Sequence, residues 1–166
     1  MIERYRRWHE HERDANHKMI AMLESVPQEK RGDPRFARAV DYAAHIAGCR
    51  VNWLDRIEGR EPTVDWFSEN TPLESLGPLF EKSEARWQAY LDPLSDDDLS
   101  RDFEYIARDG SRYRWYVEGQ IVQLVGHAFY HRGMIAMIVD DLGGVKVDTD
   151  YLFWAFDQDE RYGRID

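Results

Sequence analysis

The chain has 166 residues, a length that suits one domain with an apolar core of its own. Hydrophobic residues make up 43% of it and charged residues 33%, a balance typical of folded rather than disordered proteins. The net charge of −10, without an unbroken basic stripe, counts against nucleic acid and against an anionic membrane surface as partners.

Cysteine content and hydropathy bear on the compartment. Cys49 is the only cysteine, which excludes an internal disulfide and favours a reducing environment. No segment approaches the roughly 20 consecutive apolar residues of a membrane span. The first residues also lack the apolar core of a signal peptide. We therefore expect a cytoplasmic protein.

The spacing of apolar residues predicts a first helix over residues 2–25 and a second over residues 34–58. Asp33 and Pro34 are a favourable pair for the N-cap and first turn of the second helix, and Gly59 ends it. The predicted inward positions are Trp8, Ala15, Met19, Met22 and Val26 in the first helix, and Phe36, Val40, Ala44, Ala47, Val51, Leu54 and Ile57 in the second.

The third helix is predicted to begin with a capping box and to end near Leu91. In this box Thr71 is the cap, Pro72 takes the first helical position and Glu74 the third. A polar turn at residues 95–98 separates this helix from the next element.

The strand-like signal of the chain lies between the third and fourth helices. Segments 103–107 and 111–115 are rich in aromatic residues and flank Asp109-Gly110, a strong hairpin signal. We therefore expect a small β-hairpin here.

The last long helix is predicted over residues 116–142 and is stopped by Gly143. An aromatic segment, residues 151–156, should pack back on the helices. The elements together predict an all-α fold. We expect a single domain over residues 1–166, a four-helix bundle with a small β-hairpin insertion before the last long helix.

Two histidines on the fourth helix are candidate metal ligands. His127 and His131 are four residues apart, so they project from one face, one turn from each other. Residues 121–131 are otherwise nearly all apolar, which predicts a helix buried all round. Imidazoles at this spacing can bind one metal ion, at about 2.0–2.1 Å per nitrogen for zinc. The alternative is that both lie half exposed on the outside of the bundle.

A third ligand is needed, and His45 on the second helix is the candidate. A lone histidine in an apolar run is usually a core residue, so its assignment rests on the combination with His127 and His131. Asp41 lies one turn before His45 and is a weak catalytic candidate, as general base or as partner of a ligand. A solvated surface acid is an equal alternative, and Cys49 is expected to be a buried, inert thiol.

The remaining histidines lie on the first helix. His9, His11 and His17 stand among charged residues, which predicts a solvated face and no metal ligand. The sequence Glu-x-x-His, which marks carboxylate-bridged two-metal bundles, does not occur.

These segments resemble the DinB-like (DinB/YfiT) metal-binding four-helix bundles over nearly the whole chain. Residues 14–19, Asp-Ala-Asn-His-Lys-Met, are similar to the family's Ala-Asn-x-x-Leu stretch, and residues 42–46, Tyr-Ala-Ala-His-Ile, to its Asn-His-Ile segment. Asp109-Gly110 falls at the family's hairpin. The most specific element, Gly-His-Ala-Phe-Tyr-His-Arg-Gly at 126–133, resembles His-x-x-x-His-Arg-Gly-Gln.

The resemblance implies a metal site formed by His45, His127 and His131. It implies one divalent ion (zinc, nickel, iron or manganese) with an open coordination position, and a homodimer. Some members are S-transferases or isomerases that use a low-molecular-weight thiol such as bacillithiol or mycothiol. Met134 replaces the Gln of the motif and Ala44 replaces the usual Asn, so any role of those two amides is lost.

A three-histidine site with open positions is typical of a catalytic metal, which lowers the pKa of a bound water or thiol. We therefore expect a metal-dependent S-transferase or hydrolase that acts on a small molecule. The alternative is a non-catalytic metal-binding stress or interaction module. A cavity beside the metal would favour the enzyme, and a fourth protein ligand would favour the module.

Overall fold

Five α-helices and one β-hairpin follow one another in the computed structural model, which describes residues 1–161 and 163. The all-α bundle with a small hairpin before the last long helix is confirmed. The elements are α1 (Ile2–Glu24), α2 (Pro34–Ile57), α3 (Leu76–Leu91), β1 (Asp102–Ile106), β2 (Arg112–Tyr116), α4 (Val117–Asp141) and α5 (Tyr151–Gln158).

The four long helices form the bundle. Helices α1 and α2 each pack against both α3 and α4 and touch each other less, so they lie diagonally across the bundle. This arrangement makes α2 and α4 neighbours along much of their length, and the three predicted ligands lie on these two helices.

A layer of polar side chains crosses the middle of the bundle between two apolar clusters. Arg132 of α4 forms an ion pair with Glu12 of α1, in which both side chains are 1% exposed, and donates to Asn16 at 3.1 Å. Arg50 of α2 lies 3.6 Å from Glu12 and 3.1 Å from His9. Because the two guanidinium groups face the Glu12 carboxylate and most of their neighbours are hydrogen-bonded, these groups can be buried together.

The predicted solvated face of α1 is wrong for two of its three histidines. His9 and His11 are 3% and 2% exposed, whereas His17 is exposed as predicted. His9 continues the buried stripe of Tyr5, and His11 packs under the C-terminal segment that contains α5. Charged sequence neighbours hid both placements: Glu10 and Arg13 are exposed, whereas Glu12 is buried with its ion-pair partners.

The first turns of α2 and α3 differ in how they are capped. Asp33 caps α2 as predicted, accepting from the Arg35 N–H at 2.8 Å, with Pro34 in the first position. The capping box predicted at Thr71 is wrong: a 3₁₀ turn covers Leu73–Ser75, and no side chain caps α3. The Thr71 N–H instead donates to Asp41 on α2, which draws this loop towards α2.

The hairpin pairs β1 and β2 antiparallel, with Tyr105 opposite Tyr113. Its strands are shifted by one residue from the predicted segments. Gly110 has a φ of 84°, a backbone conformation that favours glycine, and its N–H donates to the Ala107 carbonyl at 2.9 Å. The hairpin packs on the second half of α2, where Arg56 donates to the Ile106 carbonyl at 3.1 Å.

The C-terminal segment packs back on the bundle as predicted, against α1. Trp154 of α5 is buried and meets the His11 ring edge-on, and the Thr149 carbonyl lies 3.0 Å from His11 Nε2. His11 is thereby enclosed between α5 and Phe129 of α4, whose ring stacks on it.

The prediction that α4 is buried all round is wrong. Its exposed face carries Val122, Phe129 and Met137, with Gly126 and Gly133 between them. The reason is that α1 and α2 cover only two sides of this helix. None of the helices in the described part of the chain combines the length and the apolar character needed to cross a membrane.

Candidate metal centre

Three imidazoles converge where α2 and α4 meet. The Nε2 atom of His127 lies 3.2 Å from Nε2 of His45 and 3.2 Å from Nε2 of His131. One nitrogen from each ring lies within 4.8 Å of the others. Helix geometry brings His127 and His131 together, whereas His45 joins them only because α2 packs against α4.

These separations fit a single ion. A tetrahedral ion with bonds of about 2.0–2.1 Å holds its ligand nitrogens about 3.3 Å apart. Within the described residues, this is the group of His, Cys, Asp or Glu side chains whose geometry could hold a metal ion.

The loop after α2 orients His45. Its Nδ1 atom lies 2.5 Å from the backbone carbonyl oxygen of Trp66. A carbonyl only accepts, so Nδ1 carries the hydrogen and Nε2 keeps its lone pair for an ion. A backbone carbonyl on the far nitrogen is a common support for metal-binding histidines. Phe67 stacks on the same ring at 4.7 Å and holds it from one side.

Partial burial favours the neutral form of the two histidines on α4. Desolvation, followed by the charges of His127 and His45, lowers the pKa of His131 to about 4. Desolvation and then His45 also lower the pKa of His127. Metal binding requires neutral imidazole, so all of this favours the binding-competent form near pH 7.

Cys49 lies one turn after His45, with Sγ 3.5 Å from its Nε2. Burial raises the pKa of this thiol to about 12. It is therefore a neutral, buried group in the structure, in line with the inert thiol expected.

Asp41 holds the loop that covers the site. Its two carboxylate oxygens accept from the backbone N–H groups of Asn70, at 3.1 Å, and Thr71, at 2.9 Å. Through this loop it supports the segment that carries Trp66 and Phe67. A role for Asp41 as general base stays a prediction.

The structure brings together the three histidines predicted as ligands and leaves the three of α1 elsewhere. Sequence reasoning missed Trp66 and Phe67, which contact His45 from an irregular loop. It also missed Arg132, which follows His131 directly and anchors this turn of α4 to Glu12. Glu12 was missed as well, although its position in the buried stripe of α1 indicated burial.

Fold and site together define a helical bundle with a three-histidine group that could hold a metal ion. The chain belongs to the DinB family, whose sequence model matches residues 1–162. Metal binding is general in this family. No curated protein and no solved structure matched the chain.

Proposed function

We propose that this protein binds one divalent transition-metal ion (zinc, nickel, iron or manganese) through His45, His127 and His131, and that it is a metal-dependent S-transferase or hydrolase of small molecules. The observation that carries the proposal is that Nε2 of His127 lies 3.2 Å from Nε2 of His45 and 3.2 Å from Nε2 of His131.

The ion would act as a Lewis acid that makes a water or a low-molecular-weight thiol nucleophilic near neutral pH. Three neutral imidazoles supply three donors, and zinc takes at least four, so an outside molecule has room to bind. Cys49 is 4% exposed, which supports an external thiol rather than this side chain as the sulfur nucleophile.

The chain's own residues contribute position and exclusion of water. Trp66 and Phe67 hold the His45 ring, and Tyr42 packs against His131 at 5.2 Å between ring centroids. We propose Asp41 as a supporting residue, because its carboxylate fastens the loop that carries the two aromatic residues.

The test is elemental analysis of protein purified without a His tag, followed by thiol-transfer and hydrolysis screens with and without chelator. We expect about one ion per chain in the wild type and none in His127→Ala, because two ligands bind too weakly to survive purification. The matched control is His17→Gln, an exposed histidine outside the cluster, which should keep its ion.

A His127→Ala protein that retains one ion per chain would overturn the ligand assignment. A wild type that holds its ion but shows no chelator-sensitive activity would instead support a metal-binding stress or interaction module.

We also propose that two copies of the chain pair through the exposed face of α4. Val122, Phe129 and Met137 lie on one side of this helix, and Gly126 and Gly133 between them leave space for close approach. An apolar helix face of this kind is typical of protein interfaces. A two-fold pair would cover the same face of both copies.

Sedimentation analysis tests the pairing. The wild type should be a dimer and Met137→Glu a monomer, because the charge would lie in the interface. Val145→Glu changes a similarly exposed residue off α4 and should stay dimeric. A monomeric wild type at micromolar concentration would contradict the pairing.

The reducing compartment expected for a chain with one cysteine supports a cytoplasmic location.

A further inference from the structure

An open cleft of about 460 Å³ lies between the hairpin and the loop after α2. Its walls are mainly aromatic and it contains two arginines. The lining residues are Arg56, Trp66, Phe67, Tyr105, Ala107, Arg108, Asp109 and Tyr113.

Arg56 is the unusual member of this lining. Its side chain is 7% exposed, yet within the described residues it forms no ion pair, and its Nε atom has no hydrogen-bond partner. Its guanidinium carbon lies 4.6 Å from the ring centroid of Trp53, and 4.5 Å from those of Trp66 and Tyr105. The rings stabilise the cation, and Nη2 donates to the Ile106 carbonyl at 3.1 Å, but a buried guanidinium whose Nε–H has no partner still favours an anionic partner.

The second arginine adds charge at the rim. Arg108 is exposed and lies 5.6 Å from the ring centroid of Phe67. Asp109 also lines the cleft, but its carboxylate accepts from the backbone N–H of Ser111 within the hairpin turn. The cleft therefore has two cations and one turn-bonded acid in a chain whose net charge is −10.

The cleft adjoins the histidine cluster through two shared residues. Trp66 contacts Arg56 with its ring and the Nδ1 of His45 with its carbonyl oxygen. Phe67 lines the cleft and also stacks on the His45 ring. A molecule in the cleft therefore lies next to the residues that hold a proposed metal ligand.

We propose that this cleft binds an aromatic carboxylate, with its carboxylate on Arg56 and Arg108 and its flat body against Phe67, Tyr105 and Tyr113. Guanidinium groups bind carboxylates through paired hydrogen bonds, and aromatic walls suit a planar body. This deepens the proposed function, on which it rests, because it names the substrate class for the adjoining histidine centre.

The test compares 2-naphthoate with its uncharged counterpart 2-naphthamide on the metal-loaded protein. Calorimetry measures the affinity, and the indole N–H resonance of Trp66, assigned with Trp66→Phe, locates the binding. We expect the acid to bind about ten-fold or more tightly than the amide and to shift this resonance. Equal affinity, or an unmoved resonance, would overturn the proposal.

Variants of the two arginines test the assignment of the charge. Arg108→Gln, and Arg56→Gln if it folds, should weaken naphthoate binding about three- to ten-fold, and Arg56→Lys should weaken it less. The matched control is Arg114→Gln, on the opposite face of the same hairpin, where Arg114 pairs with Glu104. Unchanged affinity in Arg108→Gln and in either Arg56 variant would overturn the proposal.

The same titration on His127→Ala separates the cleft from the metal site. Naphthoate should bind this variant within about two-fold of the wild type, since the cleft does not contain His127. Binding that vanishes in His127→Ala and survives in Arg108→Gln would place the acid on the metal instead. If the metal assignment is wrong and the cleft proposal is right, elemental analysis of His127→Ala will show it, while naphthoate binding stays unchanged.

Discussion

The buried ion pair between Arg132 and Glu12 joins α4 to α1 in the middle of the bundle. Arg132→Met removes it and leaves a shorter, unbranched side chain without charge or hydrogen-bond donors. Glu12 would then keep only Arg50, at 3.6 Å, and the Asn16 carbonyl oxygen would lose its donor at 3.1 Å. Both ends of the pair are 1% exposed, so water cannot replace the lost bonds.

Removing one partner of a buried ion pair costs about 3–5 kcal/mol, because the other charge stays buried. Single domains are stable by about 5–15 kcal/mol, so the loss is a large share of the total. For a chain of this length, each kcal/mol corresponds to roughly 2–4 °C, which gives a fall in Tm of about 10 °C.

Urea unfolding of metal-free protein, kept in chelator, measures the free energy without a contribution from the ion. Arg132→Lys should lose less free energy of unfolding than Arg132→Met, because lysine keeps the positive charge. It should still lose some, because lysine cannot form the hydrogen bonds of the guanidinium group to both Glu12 and Asn16. Arg114→Met breaks the exposed pair with Glu104 and should leave stability unchanged. An Arg132→Met protein within about 1 kcal/mol of the wild type would refute this account of the polar layer.

Three further predictions concern other parts of the molecule. Desolvation, then the charge of Arg50, lowers the pKa of His9 to about 3 from 6.5, so below pH 6.5 the unfolded chain binds a proton that the folded chain excludes. The free energy of unfolding should therefore fall between pH 6.5 and 4.5 by about 2–3 kcal/mol more in the wild type than in His9→Gln. Urea unfolding at both pH values measures this, and an equal fall in the two proteins would contradict it. Gly110→Ala should cost about 1 kcal/mol in urea unfolding, because alanine is strained at a φ of 84°; no loss would count against the turn. A cobalt-substituted protein should change its visible spectrum when azide or a thiol is added, because three histidines leave positions open; a spectrum that ignores every added ligand would contradict an open site.

The helices were predictable because their signals are local. Asp33, Pro34 and Gly59 mark the ends of α2 by capping and turn chemistry, and these act within a few residues of each other. The capping box at Thr71 failed for the opposite reason, since a distant group, Asp41, binds the Thr71 N–H.

The first helix shows how far side-chain polarity can mislead. His9, Glu12 and Asn16 occupy the buried stripe between Tyr5 and Met19 at spacings of three and four. Their polarity predicts exposure when the helix is considered alone. Burial became possible because Arg50 and Arg132 arrive from two other helices to bind them.

By itself the sequence determined the order of the long helices, the limits of α1, α2 and α4 to within one residue, the hairpin, and the spacing that aligns His127 with His131 on one face. These features depend on hydrogen bonds and sterics between near neighbours in the chain. Only the tertiary structure decided that His45 meets this pair, that Trp66 and Phe67 support its ring, and that Arg56 is enclosed by aromatic residues. Such contacts join residues far apart in sequence, and they depend on how each helix is rotated against its neighbours, which one helix's own pattern does not specify.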